Sequence, residues 1–247
     1  MRALGAAELL RLWEAEERAR PAERAMVLLE AAADADEAEA LGSLTIGARD
    51  ARLLELRART FGEILQARTR CPACGSEQEL ALAVSDLLAP RAHEVDLDGG
   101  WQMLDASDWR VRFRLPCALD LVEIGEATRP LDLRRALLER CVDAVERDGS
   151  PASSADLPEE VISAIASRME ELDPCADILL ALSCGDCGSP WQAPFDIAAY
   201  LWAEFGVHAP RLLSEVDALA RAYGWREMDI LAMSSRRRRA YLELAGA

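Results

Sequence analysis

Two copies of one short motif, Cys-x-x-Cys-Gly-Ser, constrain the fold of this chain more than any other sequence feature. They occupy residues 71–76 and 184–189. A Cys-x-x-Cys turn directs two thiolates at one point, and the glycine after the second cysteine allows the positive φ that a tight turn often needs. Two such turns together supply four thiolates, which suits tetrahedral Zn²⁺ at roughly 2.3 Å per bond. The predicted zinc ligands are Cys71, Cys74, Cys184 and Cys187.

The segments that flank the two motifs are predicted as short extended strands, at residues 65–70, 77–84, 178–183 and 190–195. Each half is then a strand, a knuckle and a strand, which is the pattern of a zinc ribbon built from two hairpins. A redox pair or a disulfide is the alternative for each Cys-x-x-Cys, and the repeated Gly-Ser tail favours a shared metal site. A site with four protein thiolates has no open position, so we expect structural zinc that closes a long loop.

Length and composition indicate a globular chain with room for a sizeable core. It has 247 residues, of which 51% are apolar,. No run approaches the ~18 apolar residues of a membrane span, and no N-terminal apolar targeting segment is evident, so we expect a cytoplasmic protein. In a reducing compartment the seven cysteines fit one metal site and three buried thiols, Cys117, Cys141 and Cys175,. The basic residues are all arginine, which indicates a GC-rich bacterial gene.

The formal net charge is −16, and it is unevenly distributed. Residues 151–200 are strongly acidic, whereas residues 201–247 carry most of the C-terminal arginines. The chain as a whole is repelled by nucleic acid and by anionic membranes. An acidic body with a basic end favours protein partners and argues against nucleic acid and membranes as partners.

The pattern of apolar residues predicts an α+β fold, mainly helical, with zinc-ribbon-like β hairpins joined by the four-cysteine site. We divide the chain into an N-terminal helical region (1–64), a zinc-ribbon-like module (65–89 plus 176–195), a strand and helix insertion (90–175) and a C-terminal helical region (196–247). These boundaries follow from the turns and breakers between periodic segments.

Within the insertion, residues 109–115 alternate apolar and arginine side chains and predict a strand with one buried face,. The three arginines on its other face are either an ordinary solvated face or a cationic stripe for an acidic partner. Residues 131–147 predict a helix, and residues 148–155 a linker. Further helices are predicted at 196–205, 212–223 and 236–244.

No local motif indicates an enzyme. The two histidines, His93 and His208, have no nucleophile or carboxylate in a shared motif, and neither a phosphate loop nor a dinucleotide-binding motif is present,. We therefore expect no catalytic residues and no small-molecule substrate. Residues 212–244 also permit a helix-turn-helix interpretation, but the net charge and the run of four arginines around one helix argue against it.

Two stretches and the paired knuckles resemble a known family. The string from Tyr223 to Leu244 contains Gly-Trp, an acidic and apolar helix, and an Arg-rich helix with Tyr-Leu. It resembles the C-terminal end of T4-type baseplate proteins, including those described as baseplate hub assembly chaperones. The strand Arg112–Pro116, followed by Asp120-Leu121, is similar to the central segment of that family. The knuckles resemble the version found with phage-tail-like contractile injection systems, and the likeness extends over roughly residues 45–247.

The resemblance implies a non-enzymatic assembly factor that binds other baseplate or tail-assembly proteins. A zinc-ribbon component retained in the finished baseplate is one alternative, and a zinc-ribbon or helix-turn-helix regulator that binds nucleic acid is another. The basic end is a candidate docking element, with arginines that steer an acidic partner and two apolar anchors. These candidate partner-binding residues are Arg236, Arg237, Arg238, Arg239, Tyr241 and Leu242. The alternative for this run is a solvated helix that pairs with the acidic 151–200 region.

Overall fold

Helices and short antiparallel hairpins alternate along the chain. A computed structural model describes residues 1–16, 19–88, 100–125 and 130–246. Within them the chain is a mixed helical and sheet protein, as the sequence predicts, and its sheets are small and antiparallel. His93 lies outside the described residues.

The N-terminal region is a layer of helices that shares one hydrophobic core with a helix from the far end of the chain. Its helices are α1 (Ala6–Ala15), α2 (Pro21–Ala32), α3 (Ala35–Ala38) and α4 (Ile46–Phe61). Pro21 stands at the first turn of α2, where its missing N–H costs no hydrogen bond,. The side chain of Thr45 caps α4 by accepting from the Ala48 N–H,. Leucines of α1, α2 and α4 pack with Leu201, Trp202 and Phe205 in this core.

Four strands around the cysteine motifs form two separate two-stranded sheets. Strands β1 (Ile64–Arg70) and β2 (Glu77–Ala83) pair from Ile64↔Ala83 to Arg70↔Glu77, and the short helix α5 (Val84–Leu88) follows. The second hairpin lies after the central insertion, as β7 (Leu179–Ser183) and β8 (Pro190–Pro194). The predicted strands around both knuckles are therefore confirmed.

The central region is a four-stranded sheet with a helix on one face. Its strands are β3 (Gln102–Ala106), β4 (Trp109–Phe113), β5 (Val142–Arg147) and β6 (Ser150–Pro151), in that order across the sheet. Helices α6 (Ala118–Ile124) and α7 (Pro130–Cys141) connect β4 to β5, and α8 (Glu159–Leu172) follows β6. The alternation predicted for β4 is confirmed, because its apolar residues are buried and its arginines are not. The buried apolar residues of β4 pack with Val161 and Ile165 of α8.

The helix predicted over residues 131–147 is wrong in its second half. Helix α7 ends at Cys141, and β5 continues the chain beside β4 with Val111 opposite Val145. The stability gained when residues 142–147 pair with β4 exceeds the stability of a longer helix, because β-branched valine packs well on a half-buried sheet.

The linker predicted at 148–155 is also wrong. Asp148 and Gly149, both with positive φ, form the tight turn into β6, which Asp-Gly signals in the sequence,.

The C-terminal region begins with one long helix where two were predicted. Helix α9 runs over Ile197–Tyr223 and passes through Pro210 without a break. Proline removes one hydrogen bond, yet apolar residues on both sides of it, including Phe205 and Leu212, are buried on the same face,. Burial of that continuous stripe keeps the helix intact. The chain ends in α10 (Glu227–Leu231) and α11 (Ser235–Ala245).

Two buried polar contacts join the regions. The Arg57 side chain, 4% exposed, donates to both carboxylate oxygens of Glu204 on α9, at 3.1 and 2.6 Å, and to the carbonyls of Gly62 and Ile64. The carboxylate of Asp173, at the end of α8, accepts from the Gly47 N–H at 2.8 Å. A Cβ at position 47 would lie 1.9 Å from an Asp173 oxygen, so only glycine permits this approach.

The segment that resembles the central part of the baseplate family is built on a buried ion pair. The Asp120 carboxylate, 2% exposed, accepts from Arg114 at 2.6 and 2.8 Å, from Arg140 at 2.9 Å and from the Cys117 N–H. Burial raises the pKa of Asp120, but these hydrogen bonds outweigh it and hold that pKa well below its usual range,. Arg110 and Arg112, on the exposed face, pair with Asp105 and Asp143 of neighbouring strands.

We predict that Asp120→Asn lowers the free energy of unfolding by about 2–3 kcal/mol near pH 7, because it removes charge-assisted hydrogen bonds from a buried site. A carboxylate whose folded pKa is depressed stabilises the fold above its unfolded pKa of roughly 3.9, and this contribution is lost as the pH falls toward the folded value. Denaturant unfolding between pH 7 and about pH 2 should show the difference between the two proteins shrinking below about pH 4.

The matched control is Asp105→Asn, since Asp105 pairs with Arg110 on the exposed face. Exposed pairs contribute little, so we expect a change within about 0.5 kcal/mol. Equal losses in both variants, or a loss at Asp120 that does not depend on pH, would contradict this account of the central segment.

Candidate metal centre

The two cysteine motifs fold into the same turn. In the first, the Cys71 N–H donates to the Ser76 carbonyl and the Gly75 N–H donates to the Cys71 carbonyl, each at 2.9 Å. In the second, the Cys184 N–H donates to the Ser189 carbonyl at 3.0 Å and the Gly188 N–H donates to the Cys184 carbonyl at 2.9 Å. Gly75 has a φ of 75° and Gly188 of 72°, so both positions need the left-handed conformation that glycine adopts without strain,.

The two hairpin tips meet, and their cysteine sulfurs form one cluster. All four Sγ atoms lie within 4.8 Å of one another. Two of the pairs cross between the hairpins, at 3.7 Å for Cys71 and Cys187 and 3.6 Å for Cys74 and Cys184. The first cysteine of each motif is buried and the second is exposed. The two halves therefore contribute equivalent ligands, related by an approximate twofold arrangement.

The sulfur spacing fits a tetrahedral metal ion. Four ligands at about 2.3 Å from one ion place neighbouring sulfurs about 3.8 Å apart in a regular tetrahedron. The two close cross-hairpin distances lie near this value, and a disulfide would need about 2.05 Å,. The cysteines at all seven positions are free thiols. In the described part of the chain, this cluster is the single group of three or more cysteine, histidine or acidic side chains whose ligand atoms meet closely enough to hold a metal ion.

Hydrogen bonds between the tips hold the two motifs together outside the sulfur cluster. The Gly185 N–H donates to the Gln78 side-chain oxygen at 2.9 Å, and the Gln78 amide donates to Asp186 at 3.0 Å. The Ser76 hydroxyl also donates to Asp186. The sequence motifs alone do not predict these hydrogen bonds. The sequence feature that could have indicated them is Asp186, because the equivalent position of the first motif is Ala73.

The two exposed thiols of the cluster, Cys74 and Cys187, differ widely in pKa. Hydrogen bonds from the side chain and backbone of Ser189, together with Cys74, lower the pKa of Cys187 to about 6. A backbone hydrogen bond from Ser76 favours the Cys74 thiolate, but hydrogen bonds with the neighbouring thiols outweigh it and raise the pKa of Cys74 to about 12. Close thiols cannot all ionise without a cation between them. A divalent metal supplies that charge and keeps all four deprotonated.

The bases of both hairpins are fixed to α9. The Tyr200 hydroxyl donates to the Gln66 carbonyl at 2.9 Å and accepts from the Gln66 N–H at 3.1 Å, which holds the first hairpin. The second hairpin leads directly into α9, whose N-cap Asp196 accepts from the Ala199 N–H. Helix α9 therefore anchors both hairpins, whose tips carry the cysteine cluster.

The three remaining cysteines lie away from this cluster. Cys141 and Cys175 are buried, as expected, whereas Cys117 is only half-buried and precedes α6. Burial raises the pKa of Cys141 to about 12, so its thiol stays protonated near neutral pH,.

The C-terminal arginines are divided between the interior and the surface. Arg238 is buried, donates to Glu215 of α9 at 2.8 Å and donates to the Met233 carbonyl at 2.7 Å. Arg236, Arg237 and Arg239 are exposed. Tyr241 and Leu242 are half-buried against Val216, Leu219 and Ile230. In the described residues, the ion pair of this run reaches α9 and not the acidic 151–200 region.

The fold and the four-thiol cluster define a mainly helical protein with two cysteine-tipped hairpins. A family model described as T4 bacteriophage base plate protein matches residues 6–201. This match spans most of the chain, so the chain belongs to that family. Neither the curated proteins nor the solved structures contain a significant match. None of the described helices combines the length and apolar character required to cross a membrane.

The family assignment inferred from the sequence is confirmed, but its extent differs. The match begins at residue 6, so it includes the N-terminal helices that the resemblance left out. It ends at residue 201, so the string Tyr223–Leu244 lies beyond it. Residues 112–121, with their Arg114–Asp120 pair, are inside the matched segment, as are both cysteine motifs.

We predict that replacing Cys117, Cys141 and Cys175 together, with Ser at 117 and Ala at the two buried positions, leaves the amount of bound metal per chain unchanged. These thiols lie outside the cluster, and four sulfurs already complete a tetrahedral site,. Elemental analysis of protein purified without chelator measures the ratio. A fall toward zero in a variant that still folds, as judged by circular dichroism, would show that the ligand set is wrong.

Proposed function

We propose that this chain is a non-enzymatic assembly factor for the baseplate of a contractile phage tail or a phage-tail-like injection system. It acts in the bacterial cytoplasm by binding other baseplate proteins. A structural zinc ion held by Cys71, Cys74, Cys184 and Cys187 joins the two hairpins into a zinc-ribbon-like unit. The observation that carries the zinc assignment is the convergence of four sulfurs from two identical turns. The family match supports the baseplate role.

Zinc is the metal that this donor set favours. Thiolates are soft ligands that select zinc, copper(I) or iron–sulfur clusters, and a closed four-thiolate tetrahedron is typical of structural zinc. The ion would link positions 71 and 184 and so restrict a long loop of the unfolded chain. In the chain-entropy model a link of this length contributes about 4–5 kcal/mol. This estimate makes the metal a large part of the stability of an ordinary domain.

Binding is a better explanation of the structure than catalysis. A metal held by four cysteines has no position for water or substrate. His208, the histidine within the described residues, stacks on Phe61 at 4.6 Å between ring centroids. What remains is a protein with two hairpin arms and a helical body, which suits recognition of other proteins.

Two alternatives have their own signatures. A component retained in the baseplate would be found in purified particles, whereas an assembly factor would be found only with intermediates. A nucleic-acid-binding regulator would bind DNA with an affinity that falls steeply with salt. The net charge of −16 opposes this second alternative.

The experiment compares wild type, Cys184→Ser and the matched control Cys117→Ser, each with an affinity tag, in cells that assemble the particle. We expect wild type and Cys117→Ser to contain one Zn²⁺ per chain and to co-purify with baseplate proteins. Cys184→Ser should lose the metal, about 4–5 kcal/mol of stability and the co-purification together. Cys117→Ser is a matched control because it makes the same thiol-to-hydroxyl change at the N-cap of α6, outside the cluster.

Each part of the proposal has a contradicting result. Absence of metal from wild-type protein would end the zinc assignment. Absence of baseplate proteins from the wild-type eluate would end the assembly role, and the tagged chain in finished particles would favour the retained component.

A further inference from the structure

A groove of about 930 Å³ lies where the N-terminal helix, α9 and the C-terminal helices meet. Its lining comes from α1, the end of α4, the middle of α9 and the segment from Leu231 to Arg239. These parts are far apart in sequence, so no local motif predicts the groove. It is distinct from the cysteine cluster, none of whose residues line it.

The lining of the groove combines apolar and basic side chains. Leu9 and Leu212 contribute buried apolar surface, and Phe61 is half-buried beside them. Arg211 and Arg239 line the same groove and are exposed. The one acid of the lining, Glu215, is already engaged by Arg238 at 2.8 Å.

The positive charge of this groove stands out against the rest of the chain. The net charge is −16, and most described arginines have an ion-pair partner. Within the described residues, no salt bridge reaches Arg211 or Arg239, nor the neighbouring exposed Arg226 and Arg236. Arginines in the first turn of α11 also oppose its helix dipole, which favours acids at that end,. The fold does not use these charges to stabilise itself.

We propose that this groove binds an acidic segment of another baseplate protein, with carboxylates on Arg211 and Arg239 and apolar side chains on the floor at Leu9 and Leu212. This inference rests on the proposed assembly role and names the surface that performs it. Charge complementarity selects an acidic occupant, since its carboxylates would pair with the exposed arginines and a basic segment would be repelled. The apolar contact comes from the groove floor, because Tyr241 and Leu242 face α9.

The test places a photo-crosslinking amino acid at Ser235, an exposed residue of the groove lining, and at Leu244 as a position outside it. Each tagged chain is irradiated in cells that assemble the particle, and the crosslinked peptides are identified by mass spectrometry. We expect the Ser235 position to capture a baseplate protein at a segment that contains both acids and apolar residues. The Leu244 position should not capture that segment.

Matched charge variants complete the test. In the Ser235 crosslinking chain, Arg211→Gln with Arg239→Gln should reduce the yield of the crosslink at least tenfold, because both arginines that bind the carboxylates of the partner are lost. Arg221→Gln with Arg226→Gln removes the same charge outside the groove and should leave the yield within twofold. Arg211, Arg226 and Arg239 are exposed and have no salt bridge among the described residues, and Arg221 pairs only with the exposed Asp217, so both double variants should keep their fold and their metal content,.

Three results would overturn the groove assignment: capture of a second copy of this chain, capture of a basic or neutral segment, or equal loss in both double variants. Normal co-purification of baseplate proteins with Arg211→Gln/Arg239→Gln would also reject the groove while leaving the assembly role intact. If no baseplate protein co-purifies with the tagged wild-type chain, the assembly role itself is rejected.

Discussion

The meeting of two hairpin tips at four sulfurs is the constraint on which the rest of the structure depends. Each hairpin is a separate two-stranded sheet, and such a pair is at best marginally stable in water,. Their residues alternate between exposed and half-buried, with Leu65 as the one buried residue among them. Tertiary packing therefore fixes the bases of the hairpins, and a metal ion between the sulfurs would fix their tips.

The helical body gives the two arms a common origin. Arg57 connects the end of α4 and the start of β1 to Glu204 of α9, and Tyr200 of the same helix holds the Gln66 backbone. Because β8 runs directly into α9, the second arm starts from that helix as well. One helix thus positions both halves of the cysteine cluster, although the central sheet and its helices intervene in sequence. The same helix continues past Pro210 to line the basic groove, so the proposed metal site and docking surface share one support.

The sequence predicts those parts of the structure that depend on local chemistry. The repeated motif specified the turns, the positive φ of Gly75 and Gly188 and the cysteines that cluster, and alternation specified the buried face of β4. Residues 142–147 formed a strand because β4 offered a buried edge, which a helical spacing count does not include. Pro210 did not end α9 because burial on both sides outweighs one lost hydrogen bond,. The Arg140–Asp120 pair, the Gln78–Asp186 contact and the groove arise from residues that only the tertiary fold brings together.

The central claim is that one metal ion is held by sulfur from both hairpins. X-ray absorption at the zinc edge of the purified protein tests it most directly, because the fine structure gives the number, type and distance of the ligands. The account predicts a single shell of four sulfur ligands at about 2.3 Å, with no nitrogen or oxygen in the shell. A shell of two sulfurs completed by lighter atoms would show that the hairpins do not share the ion, and would contradict the account.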